Sequence, residues 1–430
     1  MLAIYSLLYT LTMILLSPLF LLRRKKYAAG FWERLGNYPR FVHDDRKVIW
    51  LHCVSVGETN AARPLVDQLI KEFAAGRLVI STTTQTGQEL AAKIFAGKAE
   101  TVFYFPFDWK FSVRRALNTF RPSLLLLMET EIWPRLISEA KESGAQIAIV
   151  NGRLSQRSAD RYQFVATFIN KVLSNVDLAL MQTETDAGRI KTLGLDAGKV
   201  AVTGNLKFDR STDLFETELT QYFQQRFRRH RARPVIVAAS THEPEESIIL
   251  KALDGLLPHH AKLFIAPRHP HRFDEVWNML KSTPNRVVRR SDPESDGDRS
   301  SDVILLDSIG ELRSLFPIAD IVFVGGSLIT HGGQSIIEPA AAGKAIITGP
   351  FTHNFSEAVN MFQREDALIQ INEAGNDSQY AKQLHDQFAK LLDGETRRRS
   401  LGENALKVLN DNRGSAEKTV KKLVGLIGSK

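Results

Sequence analysis

The sequence predicts an α/β protein built from two doubly wound parallel sheets, each covered by helices on both faces. Short apolar runs alternate with longer amphipathic stretches, which is the pattern of repeated βαβ units. With 430 residues, the chain is also too long for one ordinary domain of about 100 to 200 residues. Hydrophobic residues at 43% and charged residues at 24% exclude a disordered, fibrous or many-spanned membrane protein.

Seven apolar runs in the first half predict one sheet, and five in the second half predict another. The first set is 48–54, 78–82, 101–105, 124–128, 146–150, 178–182 and 200–203. The second set is 234–239, 262–266, 303–306, 321–324 and 345–348. Because open α/β sheets bind ligands beyond the carboxyl ends of their strands, we expect ligands there, in a cleft between the two domains.

The domain boundaries follow from composition. We assign residues 1–22 to a membrane anchor, 23–207 to the N-terminal domain and 234–405 to the C-terminal domain. Residues 208–233 are charged, rich in Gln and Arg and without a strand signal, so they predict a linker. Residues 406–430 predict a C-terminal helix that can pack back on the N-terminal domain.

The N-terminus predicts membrane attachment. Residues 1–22 hold no charged side chain and precede the basic cluster 23–26 (RRKK). A helix of that length reaches about 33 Å, enough for a hydrocarbon core of about 30 Å. A cleavable signal peptide carries its basic residues before the apolar stretch, whereas here they follow it, so we expect a single uncleaved anchor. The basic cluster then places the rest of the protein on the cytoplasmic face of the membrane. Tyr5, Tyr9 and Thr10 leave a second arrangement open, a helix lying on the membrane surface.

Charge and cysteine content narrow the function classes. The net charge of +8 suits an anionic partner, either a membrane surface or a phosphorylated substrate. No nucleic-acid-binding signature occurs, so a non-enzymatic nucleotide or RNA binder is supported by charge alone. The single cysteine, Cys53, excludes an internal disulfide and a cysteine zinc cluster.

Three acidic or basic positions follow strands of the first sheet. Glu58 ends the segment HCVSVGE where a helix begins, which we expect to lower its pKa and keep it ionised as a base; a purely structural helix-end role is the alternative. Strand alternation places Glu129 and Glu131 of METEIWP on one side, as a salt-bridged pair or as a charged active-site wall. Lys207 also follows a strand and can face them.

Basic residues follow a strand of the second sheet. Arg268, His269 and Arg272 in APRHPHRF are donors suited to a phosphate or carboxylate, and we favour an anion clamp over a metal site there. The segment DSIGEL forms another strand-to-helix junction that can wrap a base or ribose.

Glycine pairs follow another strand of that sheet. Gly325–Gly326 and Gly332–Gly333, with a helix from Ser335, predict backbone amides that point at an anion. The spacing is neither that of a P-loop nor that of a dinucleotide fingerprint. Glu338 can accept from ribose hydroxyls. A purely structural glycine turn is the alternative.

Taken together, the blocks resemble one family. HCVSVGE, METEIWP, GNLKFD, APRHPHRF, DSIGEL and GGQSIIEPAAAGKAIITGP, after an N-terminal anchor, resemble the 3-deoxy-D-manno-octulosonic acid (Kdo) transferases of lipopolysaccharide synthesis over nearly the whole chain. The resemblance implies a GT-B fold and an inverting transfer of Kdo from CMP-Kdo to a lipid A precursor, lipid IVA, at the inner membrane. It implies no metal, no cofactor and no nucleic-acid partner. A GT-B enzyme that uses a uridine nucleotide sugar and a lipid acceptor is the alternative.

The resemblance also implies residue roles. Glu58 is the general base, while Glu129 and Lys207 stabilise the transition state, with Glu131 as a less favoured substitute for Glu129. The residues implied in CMP binding are Arg268, His269, Ile309, Gly310, Glu311, Ser335, Ile336, Ile337 and Glu338. Further candidates are Arg272, Gly332 and Gly333. Ser335 stands where family members often have Asn.

Overall fold

The computed structural model describes residues 1–22, 29–74, 76–209, 217–227, 233–257 and 260–428. They form two compact units, Met1–Ser211 with Asn412–Lys430, and Thr212–Asp411. Each unit holds one seven-stranded sheet in which all paired strands are parallel. The predicted class, two parallel-sheet α/β domains, is therefore confirmed. The basic cluster 23–26 and the linker segments 210–216 and 228–232 lie outside the described residues.

After its second helix, the first unit consists of strands that are each followed by one or two helices, except at β7. Its strands are β1 (Val48–Cys53), β2 (Arg77–Thr82), β3 (Thr101–Tyr104), β4 (Leu124–Met128), β5 (Gln146–Gly152), β6 (Leu178–Met181) and β7 (Val200–Val202). Its helices are α1 (Leu2–Leu22), α2 (Phe31–Arg34), α3 (Val56–Ala61), α4 (Arg63–Glu72), α5 (Gln85–Ile94), α6 (Lys110–Phe120), α7 (Pro134–Glu142), α8 (Gln156–Gln163), α9 (Ala166–Leu173) and α10 (Glu184–Thr192). The spatial strand order is β3-β2-β1-β4-β5-β6-β7.

Both faces of this sheet are covered, which explains the continuous apolar runs. Successive strand residues point to opposite faces. Trp50 and Leu125 therefore enter one core and Leu51 and Leu126 the other. All residues of β1, β2 and β4 are buried, as expected for a parallel sheet between two helix layers.

The second unit repeats this plan. Its strands are β8 (Val235–Thr241), β9 (Lys262–Pro267), β10 (Val287–Arg289), β11 (Val303–Leu305), β12 (Ile321–Val324), β13 (Ala345–Thr348) and β14 (Ile369–Gln370). Its helices are α11 (Glu218–Phe227), α12 (Glu245–Ala252), α13 (Phe273–Lys281), α14 (Ile337–Ala341), α15 (Ser356–Arg364), α16 (Asp377–Asp393) and α17 (Glu395–Asp411). The strand order is β10-β11-β9-β8-β12-β13-β14. The sequence prediction missed only the two edge strands, β10 and β14.

The boundaries differ from the prediction at two places. The segment predicted as linker contains α11, whose Phe223 and Phe227 are buried and meet the ring of Phe264 at 6.4 and 5.6 Å. This aromatic contact makes α11 part of the second unit. Helix α17 runs through the predicted boundary at 405, so the second unit extends to Asp411.

The C-terminal segment belongs to the first unit. It forms helix α18 (Ser415–Ile427), separated from α17 by a turn in which Gly414 has φ 84°. Val420 and Leu423 are buried in the same core as Leu65 of α4. The backbone amide of Gly414 donates to the Asp209 carboxylate at 2.7 Å. The helix predicted over 406–430 is thus two helices in two different units.

Helix α1 is held to the first unit by polar contacts. The Tyr5 hydroxyl donates to the Asp108 carboxylate at 2.8 Å, and the Trp109 indole donates to the Thr10 hydroxyl at 2.9 Å. The polar residues that interrupt its apolar run therefore serve as docking points. Among the described ranges, the helices do not include one with the length and apolar character needed to cross a membrane.

Candidate functional site

Glu58 lies at the carboxyl end of β1, in the first turn of α3. Its carboxylate folds back over the strand end, where it accepts from the Val54 amide at 2.7 Å and from the Ser55 hydroxyl at 3.2 Å. Ser55 in turn caps the helix by accepting from the Glu58 amide. This reciprocal capping fixes the orientation of the side chain, which is only 7% exposed.

The pKa of Glu58 is raised to about 8, and not lowered as the sequence suggested. Burial is the largest cause, and the charges of Glu129 and Glu131 add to it, while the amide of Val54 acts in the opposite direction. A helix of only six residues offsets little of this burial penalty. A pKa near neutrality suits a general base better than a lowered one.

Glu129 and Glu131 follow β4, the neighbour of β1 in the sheet. The chain leaves the strand at Met128 and turns, with Glu129 at φ 54° and its amide donating to Val150 at 3.0 Å. Strand alternation therefore does not extend to these residues. Among the described residues neither carboxylate has an ion pair, which contradicts the salt-bridged alternative. Burial and the charge of Glu129 raise the pKa of Glu131.

Lys207 is positioned by a network of amide side chains that the sequence did not reveal. It lies in the short 3₁₀ helix Leu206–Asp209, whose first amide donates to the buried Asn151 side chain at 2.9 Å. The Gln182 side chain donates to the Asn151 carbonyl at 3.0 Å and accepts from Asn205 at 2.9 Å. Within the described ranges Lys207 forms no ion pair, so the expected contact with the β4 carboxylates is not observed.

A groove of about 560 Å³ opens beside the turn that carries Glu131. Three separate segments build it: α1, the turn after β4, and the region around α9. Its apolar lining includes Ile4, Leu8, Ile132, Trp133, Val165 and Phe168. The groove was not foreseen because no single segment contains it.

In the second unit, Arg268 and His269 lie just beyond β9. The Arg268 amide donates to the Thr241 carbonyl at 2.9 Å, which joins this turn to the end of β8. Both side chains are exposed, and among described residues the Arg268 guanidinium has no hydrogen bond or ion pair. The His269 ring lies 5.3 Å from the ring of His242. These two residues are free to bind an anion.

Unlike Arg268, Arg272 pairs with carboxylates. Its guanidinium donates to Glu246 at 2.7 Å and to Glu275 at 3.0 Å, and the residue is only 9% exposed. Two carboxylates already pair with this guanidinium, so it also holds the ends of two helices together, and its role as a further anion donor stays a prediction. One of the carboxylates, Glu246, lies on α12 and is distant in sequence.

The first glycine pair does not present free amides. The backbone amides of Gly326, Ser327 and Leu328 donate to the Glu245 carboxylate at 2.7, 2.9 and 2.9 Å. Glu245 is fully buried and also accepts from the His242 amide at 2.9 Å. The expected anion cradle is therefore filled by a carboxylate of the protein itself, and the structural alternative is observed for this turn.

The second glycine pair forms a turn before α14. Gly332 and Gly333 have φ of 98° and 77°, a conformation that favours glycine, and the Gly333 amide donates to Gly326 at 2.7 Å. Helix α14 begins at Ile337 and not at the expected Ser335. The Ser335 hydroxyl accepts from the Ile337 amide at 3.3 Å.

The remaining predicted nucleotide contacts fall into buried and accessible groups. Ile336 and Ile337 are buried, so only their backbone can reach a ligand. Glu338 is half-buried, and its carboxylate makes no hydrogen bond or ion pair within the described residues. Among the described residues, neither Ser335 nor Glu338 forms a hydrogen bond with His242, His269 or His331.

The DSIGEL turn lies beyond β11 and presents an open tip. Ile309 is 80% exposed, and Gly310 has φ 87°. The Glu311 carboxylate is held by Arg290 at 2.9 Å and accepts from the Ser308 hydroxyl at 2.7 Å. Glu311 therefore fastens the turn, while Ile309 and Gly310 remain accessible.

The sequence reasoning missed His242, His331 and Glu245. His242 and Glu245 follow β8 directly, so their position at a strand end was the available signal. The ring of His331 lies 4.4 Å from the ring of His242. The described residues do not include a group of three or more His, Cys, Asp or Glu arranged to hold a metal ion.

Comparisons with known proteins agree with this architecture. Residues 29–210 match the family model described as 3-Deoxy-D-manno-octulosonic-acid transferase (kdotransferase). The chain is 35% identical over 419 residues to a 3-deoxy-D-manno-octulosonic acid transferase of Haemophilus influenzae, covering 95% of this chain and 96% of the relative. It is 32% identical to the Bordetella pertussis protein of that name, covering 98% and 99%. A solved glycosyltransferase of Rickettsia africae aligns with a TM-score of 0.56 at 12% identity, covering 90% of this chain and 100% of that one.

Proposed function

The chain belongs to the 3-deoxy-D-manno-octulosonic acid (Kdo) transferase family and is a glycosyltransferase, and from this premise we propose how it works. It transfers Kdo from CMP-Kdo to a sugar hydroxyl of a lipid A precursor, lipid IVA, with inversion at the anomeric carbon. The observation that carries this proposal is the buried Glu58 carboxylate, held by Val54 and Ser55 and with a pKa of about 8.

Glu58 acts as the general base. It takes the proton of the acceptor hydroxyl while that oxygen bonds to the anomeric carbon of Kdo and the bond to the phosphate oxygen breaks. CMP leaves with the electron pair, and Glu58 ends protonated. The carboxylate of Glu129 offsets the positive charge that develops on the sugar, and the ammonium of Lys207 offsets developing negative charge.

Side chains of the second unit neutralise the departing phosphate without a metal ion. Arg268 supports this role because its guanidinium is exposed and has no partner among described residues. His269 lies beside it, while Ile309, Gly310 and the backbone around Ile337 contact the rest of CMP. The unengaged Glu338 carboxylate accepts from ribose hydroxyls.

The acceptor is a lipid, held at the cytoplasmic face of the inner membrane. The apolar groove beside Glu131 supports this proposal, because an acyl chain matches its volume and lining. Helix α1 supports it too: Leu7, Ile14 and Leu15 are 61%, 60% and 78% exposed, an apolar surface suited to the membrane interface.

One assay tests donor, acceptor and base together. The purified full chain is incubated with CMP-Kdo and a tetraacylated lipid A precursor, and the product masses are read. We expect Glu58→Gln to lower the rate by about 10² to 10⁴. Glu72→Gln, which neutralises an exposed carboxylate on α4, is the matched control. Turnover with UDP-sugars in place of CMP-Kdo, or full activity of Glu58→Gln, would refute the proposal.

A second pair of variants tests the groove. Val165→Asp places a charge at the groove, where Val165 is 50% exposed, and Val42→Asp places one on an exposed valine outside the groove lining. We expect only Val165→Asp to raise KM for the acylated acceptor, because a charge there opposes acyl burial. An equal effect on a deacylated acceptor would contradict acyl binding.

A further inference from the structure

His242 is a buried side chain whose hydrogen-bonding capacity the described part of the protein leaves largely unused. It follows β8 at the carboxyl edge of the second sheet and is 7% exposed. Neither Nδ1 nor Nε2 has a hydrogen bond of good geometry among the described residues, although the Ser240 backbone lies near enough to act on the ring. Buried polar atoms are nearly always well hydrogen-bonded, so this ring needs an explanation.

The His242 ring lies close to His269, which we propose as a nucleotide-binding residue, and to His331. Its centroid is 5.3 Å from that of His269 and 4.4 Å from that of His331. A methyl group added at Gly326 would lie 3.4 Å from Cε1 of His242 and 3.1 Å from Cδ2 of His331. Gly326 therefore lets both rings pack closely against the backbone of this turn, where a side chain would crowd them.

Arg268 is the positive charge that acts on the His242 ring, since the neighbouring His269 has a lowered pKa of its own. Burial, the largest cause, and the neighbouring His331, His269 and Arg268 lower the pKa of His242 to about 4, while a contact with the Ser240 backbone opposes this shift. The imidazole is therefore neutral at pH 7. A neutral ring presents one N–H donor without the cost of a buried positive charge.

We propose that His242 donates a hydrogen bond to an anionic oxygen of the sugar nucleotide, with His331 packed behind its ring. This inference rests on the proposed function, since CMP-Kdo carries two such groups, the phosphate and the carboxylate of the sugar acid. It adds a donor residue at the end of β8 to those at the end of β9.

Two substitutions separate binding from packing. His242→Phe keeps a flat ring and removes both nitrogens, while His242→Gln returns an N–H donor. In the full chain we expect His242→Phe to weaken nucleotide binding by about 10- to 100-fold, and His242→Gln to recover part of that loss. His385→Phe is the control, because that histidine already bonds the Ala252 carbonyl at 2.9 Å.

Two ligands distinguish the two anionic groups. The dissociation constant of CMP, measured by calorimetry, reports the phosphate alone, and KM for CMP-Kdo reports the phosphate and the carboxylate. Weaker CMP binding assigns His242 to the phosphate, whereas normal CMP binding with a raised KM assigns it to the carboxylate. Normal values of both for a folded His242→Phe variant would overturn the inference.

If the His242→Phe variant fails to fold, a measurement on the wild-type protein still tests the inference. The ¹⁵N resonances of the His242 ring should move when CMP or CMP-Kdo saturates the protein, because a new hydrogen bond changes the donor nitrogen. Unchanged resonances under saturation would also overturn the inference. A wild-type chain that binds neither ligand would instead overturn the proposed function together with this inference, and the binding isotherm alone distinguishes that case.

Discussion

With Glu58 as the proposed base, its raised pKa should make the rate of transfer depend on pH in one direction. A carboxylate accepts a proton only when ionised, and burial with two like charges raises this pKa to about 8. The ionised fraction is then about one tenth at pH 7 and about nine tenths at pH 9. We therefore expect kcat/KM to rise about tenfold over that interval and to level off above it.

Removing one of the like charges should move this profile. Glu131→Gln deletes a charge that raises the pKa of Glu58, so the midpoint should fall to lower pH. A neighbouring like charge is typically worth roughly one pKa unit, which would make the variant about fivefold faster than wild type at pH 7. At pH 9 both proteins should be nearly equal, because Glu58 is then ionised in each.

Initial rates at low substrate concentration, followed by product mass from pH 6 to 10 at constant ionic strength, measure both profiles. Glu72→Gln lies on the exposed side of α4 and should leave the midpoint unchanged, which controls for a general effect of net charge. A wild-type midpoint near pH 5 would refute this reasoning. An unchanged midpoint in Glu131→Gln would do the same, because burial and neighbouring charge would then not set the basicity of Glu58.

Three further substitutions test the contacts that hold the first glycine turn, helix α1 and the turn that carries Lys207. Glu245→Ala strips four buried amides of their acceptor and should lower the free energy of unfolding by about 3 to 5 kcal/mol in denaturant titration; a loss under about 1 kcal/mol would contradict this. Tyr5→Phe removes the hydroxyl that donates to Asp108, so hydrogen exchange should accelerate in α1 and not in β1. Asn151→Ala frees the Leu206 amide, and kcat should fall about tenfold with donor KM unchanged, since only the lysine turn is displaced.

The fold could be predicted wherever a strand is buried on both faces. Strand β4 was bounded correctly because all five of its residues are apolar and buried. Strands β10 and β14 were missed because they have three and two residues and are only partly buried, so their sequences carry no apolar run. The sequence predicts a linker at helix α11 because three glutamines and the basic run that follows mask its pattern, while Phe223 and Phe227 hold it in place.

The sequence predicts that the site residues lie at strand ends, but it does not predict the direction of their pKa shifts. Glu58 and Glu129 could be placed at the edge of one sheet from the apolar runs before them. The direction of the Glu58 pKa shift depends on burial and on the approach of Glu129 and Glu131, which are tertiary properties. The pairing of Arg272 with Glu246 could not be predicted for the same reason, because the two residues lie 26 positions apart in the chain.

The two adjacent glutamates at the start of α12 decide which donors of the second unit can meet a phosphate. Glu245 takes the amides of the first glycine turn, and Glu246 takes the guanidinium of Arg272. A phosphate that approached those amides would find them already bonded to Glu245, a group whose pKa burial raises to about 7. This favours anion binding at Arg268, beyond β9, whose guanidinium has no carboxylate partner among the described residues, whereas the amide of His242 itself donates to Glu245. In this arrangement Gly325 and Gly326 let the chain after β12 pass close to the ligand, but their amides do not bind it.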